Sequence, residues 1–254
     1  LSKLIAGSFG TLVALTEVTL KVLPKKNSLN TITIHTEDKK LVSGLFDKIS
    51  SSSSEISAAI YIPDEPKNKN YNLNKEMIFK FNDLKYKGSF LALRLEGDKI
   101  SIEERIKELI KELDLNKLNT SILDVYQSTP FWKKVNNLEL FSQTKNNLVR
   151  VVIPPSNGIK LMKHLGDKYK YYIDWSGSLF WIEVADKDEK KIKEIKKFIL
   201  KIDGYLTIIK RSENFSFDEN LFTINENRLF ISKKIKESFD PKRIFNPGKM
   251  YREI

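Results

Sequence analysis

Cysteine is absent from the 254 residues, and this absence excludes several kinds of chemistry. Without thiolates the chain has no disulfide, no zinc–thiolate site and no iron–sulfur cluster of its own. Histidine is nearly absent as well, since His35 and His164 are far apart and neither belongs to a cluster of carboxylates. The sequence therefore predicts no metal site, gives little support to a histidine general base, and favours structural roles for both histidines.

Arginine is scarce although the chain is strongly basic. The net charge is +11, yet the chain has only seven arginines, and its many lysines are interleaved with Glu and Asp. Arginine is the usual residue for bidentate recognition of phosphates and bases. The pattern favours solvated helix faces and no nucleic-acid partner. It leaves room for weak attraction to acidic partners or, at most, peripheral contact with an anionic membrane surface.

Long apolar runs are also missing, since none approaches the roughly 20 residues of a membrane-spanning helix. The apolar opening is interrupted by Gly7, Gly10 and Thr16-Glu17, and it lacks the pattern of a signal peptide. We therefore expect a cytoplasmic protein, associated at most with the inner face of the membrane through its partners. Because the chain begins at Leu1 within a structured-looking segment, we expect it to be a fragment.

The apolar pattern predicts an α+β fold built from two similar units. Residues 9–23 have the pattern of a strand or strand pair, and residues 25–28 that of a polar hinge. Strands are predicted at 31–36, 56–62, 90–95 and 120–125, with helices at 39–49 and 102–113. A polar insertion at 63–74 carries proline. This β-α-β-β-α-β order predicts a ferredoxin-like unit over about 29–126.

The same order recurs over about 146–210. Strands are predicted at 148–153, 169–174, 179–185 and 205–209, with helices at 157–165 and 189–202. We expect the two units to share one antiparallel sheet with helices on a single face. The predicted domains are residues 1–24, a cap domain at 25–225, and a C-terminal segment at 226–254. This last segment contains a helix at 227–238 and a tail that returns to the first domain.

Two short segments carry features typical of ligand binding. In residues 6–12, two glycines and two hydroxyl residues come just before the predicted strand. Glycine permits positive φ, and successive free N–H groups in such a turn can form a concavity that binds anions. The segment is not a GxGxxG fingerprint and opens no helix, so a Rossmann site is excluded. An ordinary glycine turn remains the alternative.

The tail over residues 239–250 contains Asp240-Pro241 and Asn246-Pro247-Gly248. Both sequences are strong turn formers, and the prolines stop the preceding helix. The tail is therefore predicted to be compact and fixed, as a C-terminal clasp, whether or not it touches a ligand.

Together the two segments carry a family resemblance. GSFGTLVALTEVTLKVLP resembles the segment that closes the flavin domain of vanillyl-alcohol-oxidase (PCMH-type) FAD-linked oxidases, and FDPKRIFNPGKMY resembles their C-terminal signature. YIDWSGSLFW and GYLT are similar to segments of the glycolate oxidase E-subunit (GlcE) branch. The resemblance implies a remnant of a PCMH-type FAD-binding domain plus the cap domain. The residues that it implies for FAD binding are Gly7, Ser8, Gly10, Thr11, Leu12, Leu15, Asn246 and Lys249.

The implied function is that of an FAD-binding subunit in a multi-subunit glycolate (2-hydroxy acid) oxidase. Its implied partners are a catalytic FAD subunit, an iron–sulfur subunit and a small 2-hydroxy acid. Val13 departs from the family pattern, which usually has glycine there, and the family's upstream Gly-rich subdomain is missing. We therefore expect the isolated chain to retain FAD weakly or not at all.

Alternatives remain open at this point. A self-sufficient FAD dehydrogenase of another hydroxy acid or alcohol fits the same motifs. A basic RNA-binding module built on ferredoxin-like halves would need exposed aromatics in short RNP-like motifs, and no strand matches the Lys/Arg-Gly-Phe/Tyr pattern. Arg94, Arg150 and Arg211 could clamp a substrate carboxylate or could face solvent. Trp175 and Trp181 are expected to pack in a core or interface, and no catalytic residue can be named.

Overall fold

The computed structural model describes residues 1–64, 88–186, 189–215, 220–252 and 254. The predicted insertion therefore lies outside the described residues from position 65 onwards. The helices are α1 (Ser2–Ile5), α2 (Lys39–Ser51), α3 (Lys99–Glu112), α4 (Val125–Asn136), α5 (Gly158–Leu165), α6 (Glu189–Lys201) and α7 (Glu226–Phe239). The strands are β1 (Ser28–His35), β2 (Ala58–Ile62), β3 (Phe90–Gly97), β4 (Asn119–Leu123), β5 (Asn147–Val152), β6 (Lys170–Asp174), β7 (Leu179–Val184) and β8 (Tyr205–Lys210).

All eight strands form one antiparallel sheet in the order β4-β1-β3-β2-β6-β7-β5-β8. The first four strands and the last four each have the ferredoxin-like arrangement, in which the hairpin strands are neighbours and strands connected through a helix are separated by one other strand. The two units meet where β2 pairs with β6, with Tyr61 opposite Ile173. The α+β class, the two β-α-β-β-α-β units and their shared antiparallel sheet are thus confirmed.

The main core lies on the face of the sheet that α2, α3, α5 and α6 cover. Side chains alternate between faces along a strand, so Leu91, Leu93 and Leu95 of β3 point into this core. Phe90 and Ala92 of the same strand point to the opposite face. Burying one leucine side chain fully stabilises a fold by about 1.5–3 kcal/mol, so this face supplies most of the driving force.

The expectation that helices cover a single face is wrong, because α4 packs on the opposite face. Phe131 and Trp132 of α4 are buried there with Phe90, and Trp132 Nε1 donates a hydrogen bond to Thr31 Oγ1 at 2.9 Å. The sequence analysis missed this helix because Pro130 lies inside it and proline normally breaks helices. The capping box formed by Asp124 and Gln127 is the sequence signal that could have located its start.

The strand predicted over residues 9–23 is also wrong, because no strand lies between Ile5 and Ser28. A strand needs the backbone of a neighbour, and no described residue pairs with this segment. Its alternating apolar side chains are exposed instead, at 60% for Val18, 75% for Leu20 and 79% for Val22. Alternation by itself therefore did not suffice, because tertiary contacts decide whether a strand forms. The domain boundaries stay a prediction.

Candidate functional site

The turn over residues 6–12 follows α1 and is built from left-handed backbone conformations. The φ angles of Gly7, Phe9 and Gly10 are 85°, 53° and 70°. Glycine adopts such angles without strain, whereas Phe9 does so only because the surrounding structure holds it. Thr11 closes the turn, since its backbone N–H and its hydroxyl both donate to the carbonyl oxygen of Ser8, at 3.0 and 2.7 Å.

The carbonyl oxygens and the N–H groups of this turn have different partners. The carbonyl oxygens of Phe9, Gly10 and Thr11 all accept hydrogen bonds from the C-terminal segment. The N–H groups of Gly7, Phe9 and Gly10 make no hydrogen bond within the described residues. A Cβ at Gly7 would meet nothing within 4 Å, so this side of the turn is open. Neighbouring free N–H groups of this kind form a concavity suited to an anion or a carbonyl oxygen.

Lys236 of α7 joins the turn to the tail. The residue is only 1% exposed, and Nζ donates to Thr11 O at 2.6 Å, Phe245 O at 2.7 Å and Asp240 Oδ2 at 2.8 Å. A buried ammonium needs such partners because removing it from water is costly. The sequence analysis missed this lysine. The signal that could have found it is a lysine four residues before the aspartate that ends the helix.

Asp240 is the carboxylate that fixes the tail. Its oxygens accept the backbone N–H groups of Ile244 and Phe245 as well as the Lys236 ammonium. Burial by itself raises the pKa of Asp240. The hydrogen bonds and the positive charge of Lys236 outweigh that effect and lower the pKa from 3.8 to about 2. The carboxylate is therefore ionised throughout the physiological range.

Asn246 provides the second link between the two ends. Its Nδ2 donates to the carbonyl oxygens of Phe9 and Gly10, each at 3.2 Å. A Cβ at Gly10 would lie 2.9 Å from this nitrogen, so close approach of the tail requires glycine there. The glycine-and-hydroxyl turn and the Asn-Pro-Gly tail thus contact each other directly. That they converge around a nucleotide stays a prediction. We call residues 6–12 together with residues 236–250 the end closure.

The predicted site residues occupy two different environments within or beside the end closure. Ser8, Thr11 and Leu12 are buried, whereas Gly7, Gly10, Leu15, Asn246 and Lys249 are exposed. The hydroxyl of Thr11 and the amide of Asn246 are occupied by protein carbonyls, which makes them suited to holding the shape of the turn. Whether any of the eight residues contacts a cofactor stays a prediction.

Aromatic side chains extend the closure toward β8. The rings of Phe9 and Phe222 lie 5.0 Å apart edge to face, and Tyr251 lies 6.0 Å from Phe222. Beside them is a pocket of about 320 Å³, where the Arg228 guanidinium lies 4.9 Å from the Tyr205 ring. The first turn and the last residues thus pack against the same edge of the sheet.

The three candidate arginines differ in their partners. Arg94 is occupied, because it donates to Ser57 Oγ at 3.0 Å and pairs with Glu96 at 3.4 Å. Arg211 is exposed and lies 5.5 Å from the Phe215 ring. Both remain poor candidates for binding a carboxylate inside the protein.

Arg150 lies on the second face of the sheet, between Trp181 and Thr207 of the neighbouring strands. Its guanidinium is 5.1 Å from the Trp175 ring, and it contacts no carboxylate within the described residues. Of the three arginines, Arg150 is the best candidate for binding a substrate carboxylate. That role stays a prediction.

Both histidines pack against aromatic rings. The His164 ring stacks on Phe198 at 3.9 Å, and His35 lies 6.2 Å from Phe90. Burial lowers the pKa of both imidazoles, as expected for packed side chains. Among the described residues no group of three His, Asp or Glu side chains could hold a metal ion. No helix in the same part of the chain could cross a bilayer.

Comparison with known proteins identifies one curated relative and several solved structures. Glycolate oxidase subunit GlcE of Escherichia coli K12 is 25% identical over 256 aligned positions, which cover all of this chain and 58% of GlcE. The chain therefore spans little more than half the length of that relative. No family profile matches the chain.

Two solved structures share the fold. Substrate-bound p-cresol methylhydroxylase matches with a TM-score of 0.59 and 13% identity, over 91% of this chain and 54% of the enzyme. The 4-ethylphenol oxidase of Gulosibacter chungangensis matches with a TM-score of 0.54 and 13% identity, over 89% and 54%. These findings confirm the resemblance carried by the end motifs. The chain is similar over its whole length to the E subunit of glycolate oxidase, and it has the fold of p-cresol methylhydroxylase-type proteins.

Proposed function

We propose that the chain is part of an FAD-binding oxidoreductase and that the end closure forms one side of its FAD site. The observation that carries the proposal is the orientation of the backbone in residues 6–12. The carbonyl oxygens face the protein, while the N–H groups of Gly7, Phe9 and Gly10 have no partner within the described residues. Such donors suit the diphosphate or the carbonyl oxygens of FAD.

The residues of the end closure could contact FAD through backbone N–H groups and one apolar side chain. Gly7 and Gly10 would offer backbone N–H groups, and Ser8, Thr11 and Leu12 would hold the turn in shape from the buried side. Leu15, which is exposed, would supply apolar contact, with Asn246 and Lys249 near the flavin edge. When bound, FAD supplies an acceptor for the two electrons removed from a substrate. The chain's own contribution is to bind and orient that cofactor.

The finer proposal concerns the complex. We infer that the chain is the E-type subunit of a 2-hydroxy acid oxidase acting on glycolate or a similar acid. It would work in the cytoplasm, at most peripherally at the membrane, with a catalytic FAD subunit and an iron–sulfur subunit. The similarity to GlcE supports this assignment. The absence of cysteine agrees with it, because these residues cannot hold an iron–sulfur cluster themselves.

The FAD site is tested by titrating the purified chain with FAD and following flavin fluorescence. We expect weak binding, because the chain spans 58% of the length of GlcE. Gly7→Ala keeps the N–H but places a Cβ on the open side of the turn and strains a backbone with a φ of 85°, so it should weaken binding roughly tenfold. Gly166→Ala is the matched control, since its φ is also positive and it lies outside the end closure. Equal affinities for the two variants would contradict the proposed site.

The role in a complex is tested by co-purification. Glycolate-dependent reduction of a dye should require the chain together with its catalytic and iron–sulfur partners. Activity of the chain without any partner would favour a self-sufficient dehydrogenase instead. Binding to single-stranded RNA that falls steeply with salt would favour the interaction module.

A further inference from the structure

A cleft lies beside β8, the strand at one edge of the sheet. It has a volume of about 320 Å³, and its walls come from β8, from the first turns of α7 and from the C-terminal segment. We call it the edge cleft. The side chains that decide what it can bind are those of Tyr205, Thr207, Phe222, Arg228, Ser232 and Tyr251.

The wall along β8 is held by hydrogen bonds. Residues 221–223 run beside the strand, where Thr207 pairs with Phe222. The N–H of Thr223 donates to Leu206 O at 2.9 Å, and Thr223 Oγ1 accepts the N–H of Leu206 at 2.8 Å. A site whose walls are fixed before binding loses less entropy when a ligand enters.

The body of the edge cleft is aromatic. The rings of Phe222 and Tyr251 lie 6.0 Å apart, and the Tyr205 side chain forms another part of the lining. Tyr205 is 44% exposed, and Ile231, which also lines the cleft, is 56% exposed. This apolar surface is accessible to a ligand, and aromatic rings attract one another in offset or edge-to-face contacts. The cleft therefore suits a flat, unsaturated group.

Among the described residues that line the edge cleft, Arg228 alone is charged. Its guanidinium lies over the Tyr205 ring at 4.9 Å and contacts no carboxylate in the described part of the chain. By contrast, Arg94 pairs with Glu96. Stacking on a ring uses the planar face of a guanidinium and leaves the N–H groups in its plane able to donate. A carboxylate can accept two of them in parallel.

The uncharged polar side chains of the edge cleft are all hydroxyls. Those of Thr207 and Ser232 make no hydrogen bond within the ranges that the structure describes. A hydroxyl can donate as well as accept, so every polar side chain of the cleft can donate to an anion. No lining side chain in those ranges is a carboxylate that would repel one.

We propose that the edge cleft binds a small aromatic carboxylate. The Arg228 guanidinium donates two hydrogen bonds to the carboxylate, and the ring of the ligand packs against Phe222 and Tyr251. The volume lies near the lower end of the range for small-molecule sites, which limits the ligand to about one ring with a short side chain. The inference goes beyond the proposed function, because none of the eight residues proposed for FAD binding lines the cleft.

The test is thermal unfolding of the purified chain with increasing phenylacetate at constant ionic strength and without flavin. A ligand that binds only the folded chain raises the unfolding midpoint in a concentration-dependent manner. Acetate has the charge without the ring, and 2-phenylethanol has the ring without the charge, so both should shift the midpoint far less. No shift with phenylacetate, or an equal shift with either analogue, would overturn the proposal. Because no flavin is added, neither outcome depends on the FAD site.

Two arginines that each lie over an aromatic ring provide the matched variants. Arg228→Gln should weaken phenylacetate binding roughly tenfold, because it removes hydrogen bonds from a charged donor. Arg211→Gln should bind like the unmodified chain, since Arg211 lies over Phe215, outside the cleft. Both arginines are exposed, so neither change should alter the midpoint appreciably without ligand. Undiminished binding by Arg228→Gln, or an equal loss in Arg211→Gln, would contradict the assignment.

Discussion

The eight-stranded sheet and the end closure are stabilised by different forces. The sheet buries continuous apolar faces, and residues such as Leu93 and Ile173 have no exposed surface. In the end closure the central buried group is an ammonium, that of Lys236, and the apolar side chain of Ile244 is mostly exposed. The sheet therefore depends on many interchangeable apolar contacts, and the closure depends on a few hydrogen bonds from individual residues.

This difference decides how each region tolerates change. Apolar burial is non-directional and roughly proportional to area, so the sheet accepts substitutions that keep volume and polarity. A buried charge accepts almost none, because losing one partner leaves the other unsatisfied. The following predictions test the contrast, beginning with the largest effect.

Leu93→Ala should destabilise the chain by about 2–5 kcal/mol, because it leaves a cavity at a fully buried position of β3. Leu20→Ala removes the same atoms from a side chain that is 75% exposed and should cost almost nothing. Chemical denaturation of both variants measures the free energy of unfolding. Similar losses for the two would show that residues 13–23 are packed in the folded chain.

Lys236→Met should open the end closure while leaving the sheet folded. Each hydrogen bond from a charged group contributes about 1.5–3 kcal/mol, and the Lys236 ammonium makes two to backbone carbonyls. Hydrogen exchange should accelerate at residues 8–12 and 240–246 but not in β1 to β8. Lys234→Met is the control, since its ion pair with Glu237 is exposed and contributes little. Uniform acceleration throughout the sheet would contradict the separation of the two regions.

Acid should loosen the closure before it affects the sheet. The pKa of Asp240 is lowered in the folded chain from 3.8 to about 2. Its contribution is therefore complete above pH 3.8 and is lost as the pH falls toward 2. The measurement is hydrogen exchange at residues 240–246 over this range, with Asp240→Asn as the comparison. The same pH dependence in that variant would assign the effect to another carboxyl group.

The smallest effect concerns the exposed apolar segment. Leu20→Lys with Val22→Lys should change the unfolding midpoint by less than the error of the measurement, because both side chains are exposed. Solubility should increase, since large apolar patches favour association. A clear loss of stability would show that these side chains have contacts in the folded chain.

The fold of the sheet was predictable because its signals are local and repeated. Alternation placed β1, β3 and β5 within a few residues, and helical spacing of isoleucines placed α3 and α6. The misses have identifiable causes. Pro130 concealed α4, and the alternation of residues 18–22 indicated a strand that has no partner in the described chain.

The candidate site was predictable only in part. The sequence indicated that residues 6–12 and the tail form tight turns, because glycine permits positive φ and Asn-Pro-Gly favours a turn. The burial of Lys236 was not predicted, because a lysine in a lysine-rich helix normally faces solvent. The junction of the two units was equally hidden, since Tyr61 and Ile173 are brought together only by the pairing of β2 with β6.

By itself, the sequence determined the α+β class, the two repeated units, the absence of cysteine chemistry and the positions of the two end motifs. Those features follow from period, composition and backbone restriction, which act within a few residues of the chain. Only the tertiary structure decided that Asn246 meets Gly10, that Lys236 bridges the ends, and that α4 packs on the face of the sheet opposite the main core. Contacts between residues far apart in sequence are set by packing, and no local pattern encodes them.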